Sequence, residues 1–197
     1  MKLVPLGDRV VLKQVEAEET TKSGLSQELA ELGTKALLVT GKHSSRVNGS
    51  LQDVEDALNR EQVPYVVFDG IEENPSVETV MRATALGLSE KVDFVIGIGG
   101  GSPMDASKAI ALMIANPEKK ADFLYETDAA VKQAANKALM VAAVPTTAGT
   151  GSEVTAFSVI TDHSRNYKLT VFSYEILPKY AILDAELITT APASVAA

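Results

Sequence analysis

Short runs of branched apolar residues recur along the chain, and segments with the apolar spacing of helices lie between them. The runs cover residues 36–40, 65–68, 94–98 and 139–144. Continuous apolar runs of this length are typical of parallel strands that are buried on both faces of a sheet. The alternation of strands and helices predicts an α/β fold built from repeated strand–helix units around a buried, parallel sheet.

Start signals place two helices between these strands. Ser50, followed three residues later by Asp53, resembles a capping box and predicts a helix that ends at about residue 60. Asn74 before Pro75 predicts an N-cap and a first helical residue for a second helix, which ends near Glu90.

Beyond residue 155 the pattern changes from strand–helix units to paired strands. Residues 158–161 and 168–172 are strand-like and are joined by a polar turn, so they predict a β-hairpin. One further strand is predicted at residues 180–184.

The first candidate site is residues 99–105, called here the glycine loop. The strand at 94–98 runs directly into Gly99, Gly100, Gly101, Ser102, Pro103, Met104 and Asp105. Glycines let an anionic ligand approach backbone N–H groups, and the helix that follows points its positive end at that ligand. Ser102 is predicted as the N-cap and Pro103 as the first helical residue. The spacing predicts a phosphate-binding turn, and a tight strand-to-helix turn without a ligand is the alternative.

The second candidate site is residues 145–153, called here the hydroxyl loop. It follows the strand at 139–144 and contains Thr146, Thr147, Thr150 and Ser152. Alone, such a run is equally typical of a flexible loop. Because the carboxyl ends of parallel strands meet at one edge of a sheet, the two loops together predict a single nucleotide-binding crevice.

Composition and charge narrow the function classes. The 197 residues carry a net charge of −8, which disfavours binding to a nucleic-acid backbone. With no cysteine, the chain has no disulfide framework and no thiolate nucleophile or ligand. The apolar runs are too short for a membrane span, and the charged start lacks a signal-peptide core. We therefore expect a cytoplasmic protein without nucleic-acid or membrane partners.

From about residue 25 to its end, the chain resembles the nucleotide-binding domain of the iron-containing (group III) alcohol dehydrogenases. The resemblance is carried by residues 99–109 (GGGSPMDASKA), 145–155 (PTTAGTGSEVT), 73–75 (ENP) and 180–184 (YAILD). It implies an α/β domain with a doubly wound, mostly parallel, Rossmann-like sheet and a β-hairpin. It also implies that this domain binds a nicotinamide cofactor, in an enzyme that transfers hydride between that cofactor and a small alcohol or aldehyde. A relative that acts on glycerol or a sugar-derived alcohol is an open alternative.

The resemblance also implies which residues contact the cofactor. Gly101 and Ser102 hold the pyrophosphate, with Gly100 and Asp105 beside them, and Asn74 lies near the nucleotide. Thr146, Thr147, Thr150 and Ser152 line the cofactor channel, while Lys168 and Leu187 contact the ribose or nicotinamide side. The spacing of Lys168 by itself favours the alternative of a solvated hairpin lysine.

The end of the first strand bears on the choice between NADP(H) and NAD(H). Gly41 stands where some relatives carry an aspartate that binds the ribose hydroxyls and repels a 2′-phosphate. Lys42, Ser44, Ser45 and Arg46 follow it and can donate to that phosphate, which predicts a preference for NADP(H). A glycine needed only for the backbone turn is the alternative for Gly41.

The family's divalent metal, iron or zinc, is held by one aspartate and three histidines in a second, helical domain, and these ligands are not recognisable here. The only histidines, His43 and His163, lie in separate polar turns and are expected at the surface. The sequence therefore predicts a cofactor-binding domain at residues 25–197 that stops before the metal domain. That chain is expected to be inactive alone.

Residues 1–24 form a separate segment, since their charges balance whereas the remainder is acidic. They are similar to the amino terminus of GroES-type co-chaperonins, although the apolar tripeptide that binds the chaperonin is missing. A fusion, an engineered junction or an assembly error would each give this arrangement. A strand at residues 10–15 would present an apolar edge that favours association, for example into a homodimer. A non-catalytic nucleotide-binding or chaperonin-interaction module is the rival interpretation.

Overall fold

The computed structural model describes residue 29, residues 31–125, residues 137–184 and residue 187. The segment of residues 1–24, with its predicted strand at 10–15, lies outside the described residues. In chain order the helices and strands are β1 (Ala36–Gly41), α1 (Ser44–Val47), α2 (Ser50–Arg60), β2 (Tyr65–Ile71), α3 (Val77–Glu90), β3 (Phe94–Gly99), α4 (Gly101–Ala115), β4 (Met140–Pro145), β5 (Phe157–Asp162), β6 (Tyr167–Phe172) and β7 (Tyr180–Ala181). Short 3-10 helices cover Ala121–Tyr125, Ser152–Val154 and Tyr174–Ile176.

The main sheet has five strands in the order β2-β1-β3-β4-β7, and every neighbouring pair is parallel. The predicted α/β class and mostly parallel sheet are confirmed. After β1 the chain crosses to β2 on one side and then returns to β3 on the other. The carboxyl ends of β1 and β3 therefore border the topological switch point, where open α/β sheets bind their ligands.

Two apolar clusters cover the two faces of the sheet. Along β3, Val95 joins the cluster that includes α3 and α4, whereas Ile96 joins the cluster on the side of α2. Because both faces are buried at β1, β3 and β4, these strands are almost continuously apolar, as the sequence indicated. The edge strand β2 is only partly buried and carries Asp69. Helix α4 lies close against β3, and a Cβ on Gly97 would stand 2.5 Å from Ser107 Oγ.

The predicted hairpin is confirmed as β5 and β6, which pair antiparallel from Phe157–Phe172 to Asp162–Tyr167. Its inward face, which includes Ile160 and Leu169, packs into the apolar cluster of α3 and α4. The hairpin is thus attached to the helices and forms a small sheet of its own.

The predicted start signals of the helices are wrong by one or two residues. Helix α2 has Gly49 as its N-cap, while Ser50 is its first residue and donates through Oγ to Asn48 Oδ1 at 2.8 Å. Helix α3 has Ser76 as its N-cap, and Ser76 Oγ accepts from the N–H of Thr79. The two side chains that the sequence predicted as caps form other hydrogen bonds: Ser50 with Asn48, and Asn74 with Lys168.

Candidate functional site

The glycine loop turns sharply between β3 and α4. Gly99 has φ +137°, a backbone conformation that L side chains rarely adopt, and Gly100 is the N-cap of α4 without a side-chain cap. Since Pro103 has no N–H, Gly101 and Ser102 supply the backbone donors in the first turn of this helix. Donors at the positive end of a helix are a suitable site for a phosphate anion.

Ser102 is the second residue of α4 and does not cap it, contrary to the prediction. Its Oγ accepts from the backbone N–H of Asn74 at 3.2 Å. Asn74 Oδ1 in turn accepts from Lys168 Nζ at 2.7 Å. Three residues from the β2–α3 loop, the glycine loop and the hairpin therefore meet at one point. Although Lys168 is exposed, its ammonium group is directed at the site.

The hydroxyl loop lies directly opposite the glycine loop. The Thr146 N–H donates to the Gly99 carbonyl at 2.9 Å and so joins the two loops. A Cβ on Gly100 would lie 3.2 Å from Thr147 Oγ1, and one on Gly101 would lie 3.4 Å from Thr150 Cγ2. The missing side chains bring the backbone N–H groups of the glycine loop close to Thr147 and Thr150, and the space between the two loops is called here the cradle. Hydrogen-bond donors at a helix N-terminus are a suitable environment for a phosphate group.

Behind this cradle, a buried lysine that the sequence analysis did not single out joins α4 to the hydroxyl loop. Lys108 is fully buried, and its Nζ contacts oxygens of Asp105, Ser152, Thr155 and Phe157. Burial lowers the pKa of Lys108, while the nearby Asp105 carboxylate opposes that change. The signal in the sequence was a lysine directly before the apolar run of residues 109–115, because a helix that is mostly apolar is buried all round.

Asp105 and Ser152 belong to this internal network. Ser152 Oγ donates to Asp105 Oδ1 at 2.5 Å, and the Val159 N–H donates to Asp105 Oδ2 at 2.9 Å. Ser152 is buried, whereas Asp105 is part-exposed. The structure thus gives these two predicted cofactor residues a role in joining segments of the fold.

The residues at the end of β1 divide into exposed and buried ones. Ser44 and Arg46 are exposed, and Arg46 Nη2 lies 2.9 Å from Asp69 Oδ2. Ser45 is fully buried, and its Oγ accepts from Thr40 Oγ1 at 2.5 Å. The Ser45 hydroxyl is therefore used inside the fold, which corrects its predicted place among the groups offered to a 2′-phosphate.

Gly41 has room for a side chain. Its φ lies outside the left-handed region, and an added Cβ would find Ile71 O at 3.5 Å and Ser44 Oγ at 4.0 Å as its nearest neighbours. The backbone does not require glycine at position 41, which argues against the alternative that Gly41 is needed only for the turn. An aspartate at this position would be sterically tolerated.

Leu187 lies in an apolar environment, unlike the polar residues of the two loops. Its side chain is 7% exposed and belongs to the apolar cluster that contains Ala142 and Val144 of β4. The contact of Leu187 with a cofactor therefore stays a prediction.

The described part of the chain contains no group of three or more histidine, cysteine, aspartate or glutamate side chains that could hold a metal ion. The metal of the family thus has no fitting ligand set among these residues. His43 and His163 are both exposed, as predicted. No helix within the described ranges is long and apolar enough to span a membrane.

Comparison with known proteins gives a consistent family. A profile described as iron-containing alcohol dehydrogenase matches residues 13–185, and the match begins inside the segment that the sequence analysis set apart. An NADPH-dependent butanol dehydrogenase from Clostridium saccharobutylicum is 38% identical over 171 residues, which cover 87% of this chain and 44% of that enzyme. A long-chain primary alcohol dehydrogenase from Thermoanaerobacter ethanolicus is 37% identical over 78% of this chain and 37% of its own length.

Solved structures show the same relationship. An iron-containing alcohol dehydrogenase from Thermotoga maritima superimposes with a TM-score of 0.79 at 38% identity, covering 88% of this chain and 47% of that one. The NADH-dependent butanol dehydrogenase A of the same organism gives a TM-score of 0.80 at 30% identity, over 90% and 44% of the two chains. The present chain spans less than half the length of these relatives. Its sequence and fold place it in the iron-containing alcohol dehydrogenase family.

Proposed function

We propose that this chain is the cofactor-binding part of a dehydrogenase that transfers hydride between a nicotinamide cofactor and an alcohol or aldehyde. The observation that carries the proposal is the cradle between the glycine loop and the hydroxyl loop, next to the switch point of the sheet. When bound, the nicotinamide ring accepts or donates the hydride. The residues of this chain bind and orient the cofactor.

The cradle supports a specific arrangement. The N–H groups of Gly101 and Ser102 face the pyrophosphate at the positive end of α4. The side chains of Thr147 and Thr150 approach from the opposite loop: a Cβ on Gly100 would contact Thr147 Oγ1, and one on Gly101 would contact the Thr150 methyl group. Lys168, held by Asn74, adds a positive charge on the hairpin side. Because the chain has a net charge of −8, an anionic ligand needs a local concentration of hydrogen-bond donors to bind.

The test is calorimetric titration of the 197-residue chain with NADPH and NADH, in the unaltered protein and in Gly101→Glu. The glutamate side chain would occupy the cradle and add a negative charge, so we expect no measurable binding. Leu88→Glu, which adds the same charge at an exposed position in the last turn of α3, serves as the control outside the site. Equal affinity of Gly101→Glu and the unaltered protein, with both folded by circular dichroism, would refute the assignment of the glycine loop.

For the adenosine end we propose a preference for NADP(H). The relatives include an NADPH-dependent and an NADH-dependent butanol dehydrogenase, so the preference must come from the residues of this chain. No carboxylate stands at position 41, and Ser44 and Arg46 are exposed beside it. The Arg46–Asp69 pair has 52% of each side chain exposed, and pairs so exposed contribute about 0 to 1 kcal/mol. Arg46 can therefore exchange Asp69 for a phosphate at little cost.

We further propose that the alcohol-activating metal needs ligands outside the described residues. The 197-residue chain, assayed alone, is then expected to bind cofactor without oxidising short alcohols. Metal analysis after dialysis and a cofactor-reduction assay with ethanol and butanol test this expectation. Stoichiometric retention of iron or zinc together with turnover would refute it.

A further inference from the structure

Lys108 is the most unusual buried group in the described part of the chain. Its side chain is 0% exposed, and apart from Asp105 and Ser107 its neighbours along α4 are buried apolar residues. Moving an ammonium group out of water costs several kcal/mol unless it is paired and fully hydrogen-bonded. An apolar residue would fill this place without that cost, so the contacts of the ammonium group indicate what it does.

The partners of Lys108 Nζ come from two separate parts of the chain. On its own helix, Asp105 Oδ1 lies at 3.3 Å. Across from the helix, Ser152 Oγ lies at 2.8 Å, Thr155 Oγ1 at 3.4 Å and the Phe157 carbonyl at 2.7 Å. The ammonium group thus joins α4 to the segment of residues 152–157, which connects the hydroxyl loop to the hairpin.

Asp105 reinforces the same connection. Beyond its contact with Ser152, its Oδ2 accepts from the Val159 N–H at 2.9 Å, and its backbone carbonyl accepts from Ser158 Oγ at 2.6 Å. Val159 lies on the hairpin strand β5, so this hydrogen bond connects α4 directly to the hairpin. One lysine and one aspartate therefore bind residues 152–159 to the beginning of α4.

Both ends of this anchored segment carry groups of the candidate site. On one side, the Ser152 N–H lies 3.4 Å from Thr150 Oγ1, and Thr150 faces Gly101 across the cradle. On the other side, Lys168 of the hairpin donates through Nζ to Asn74 Oδ1. A shift of residues 152–157 away from α4 would move both groups relative to the glycine loop.

We propose that Lys108 is a positioning residue for cofactor binding, and that its ammonium group sets the width of the cradle by holding the hydroxyl loop and the hairpin against α4. This inference rests on the proposed function. Lys108 is buried behind the loops, so its effect on the cofactor is indirect. An apolar side chain of the same length would keep the packing but would supply no donor to Ser152 or to the Phe157 carbonyl.

Because the chain has no cysteine, a cysteine introduced at position 108 is the only thiol that can be alkylated. The charge of this one side chain can therefore be changed alone. Lys108→Cys is alkylated in denaturant with 2-bromoethylamine, which restores an ammonium group at the lysine position, or with 1-bromopropane, which places a methyl group there instead. Both products are refolded and titrated with NADPH. We expect the aminoethyl form to bind within about threefold of the unaltered protein and the propyl form to bind at least about tenfold more weakly.

Lys35→Met is the matched control. Lys35 also forms an ion pair, with Glu90 at 2.8 Å. It lies directly before β1, at the amino ends of the strands, whereas the candidate site lies at their carboxyl ends. Its replacement should leave the NADPH affinity unchanged. Equal affinity of the aminoethyl and propyl forms, with both folded, would overturn the inference while leaving the proposed function intact. Absence of NADPH binding by the unaltered protein would instead refute the proposed function.

Hydrogen exchange of the unaltered, cofactor-free protein tests the same inference without any substitution. The Val159 N–H points to Asp105 and not to β6, so its protection reports the connection between the hairpin and α4. We expect this amide to exchange as slowly as the amides that pair β5 with β6. Rapid exchange at Val159 would overturn the inference, because the anchor would then be open before any cofactor binds.

Discussion

Replacing Gly41 with aspartate is expected to reverse the cofactor preference. The structure allows the substitution, because the nearest atoms to an added Cβ are Ile71 O at 3.5 Å and Ser44 Oγ at 4.0 Å, and the φ angle is compatible with an L residue. The new carboxylate would lie at the carboxyl end of β1, beside the switch point. It would repel a 2′-phosphate and accept hydrogen bonds from the two hydroxyls of an unphosphorylated ribose.

The magnitude follows from charge and distance. A 2′-phosphate carries about 1.5 to 2 negative charges near pH 7. At a separation of about 5 Å and the dielectric constant of water, its repulsion by a carboxylate is about 1.5 kcal/mol, or roughly a tenfold loss of NADPH affinity. Hydrogen bonds between the carboxylate and the ribose hydroxyls contribute about 1.5 to 3 kcal/mol to NADH binding. Together these effects change the ratio of the two dissociation constants by about a hundredfold or more.

The assay is calorimetric or fluorescence titration with NADPH and NADH at low and at high salt. Gly41→Asn is the matched control, because asparagine has the same shape but no charge and should change the ratio by less than about fivefold. The repulsive part of the effect should shrink as salt is raised. If Gly41→Asp and the unaltered protein have the same ratio, Gly41 does not lie at the ribose and the proposed preference fails.

Two further predictions concern the stability of the fold. Gly97→Ala would place a Cβ 2.5 Å from Ser107 Oγ, so we expect urea denaturation to show a loss of about 1 to 3 kcal/mol in the free energy of unfolding. Hydrogen bonds from Ser164 and Tyr125 lower the pKa of Asp162 to about 2, and a group with a lowered pKa stabilises the fold fully only above its unfolded value of about 4. Stability should therefore fall as the pH drops from about 4 through 2, and Asp162→Asn should lose that part of the pH dependence in a thermal-melt series.

The sequence by itself determined the class of the fold and the location of the two loops. A strand buried on both faces must be apolar at every position, so the runs that became β1, β3 and β4 could be identified without knowing their neighbours. The glycine and hydroxyl loops could be placed together for a similar reason, because parallel strands always end at the same edge of a sheet. These conclusions depend on local pattern and on topology, and both are present in the order of residues.

The starts of helices depended on tertiary contacts. Asn74 is a good N-cap by type, yet its φ of +55° and its contacts with Ser102 and Lys168 direct it to the site. The helix begins instead after Ser76. Several residues near a helix start can cap it, and the choice among them is decided by which side chains are needed elsewhere.

The tertiary structure alone decided what Lys108 and Ser45 do. The partners of Lys108 lie 44 to 49 residues away along the chain, apart from Asp105, and no local pattern relates them. The sequence could indicate that a charge in an apolar helix needs a partner, because an unpaired buried charge is too costly. Which oxygens supply that partner depends on how the hairpin packs against α4. The same dependence on packing separates the buried hydroxyl of Ser45 from the exposed one of Ser44 next to it.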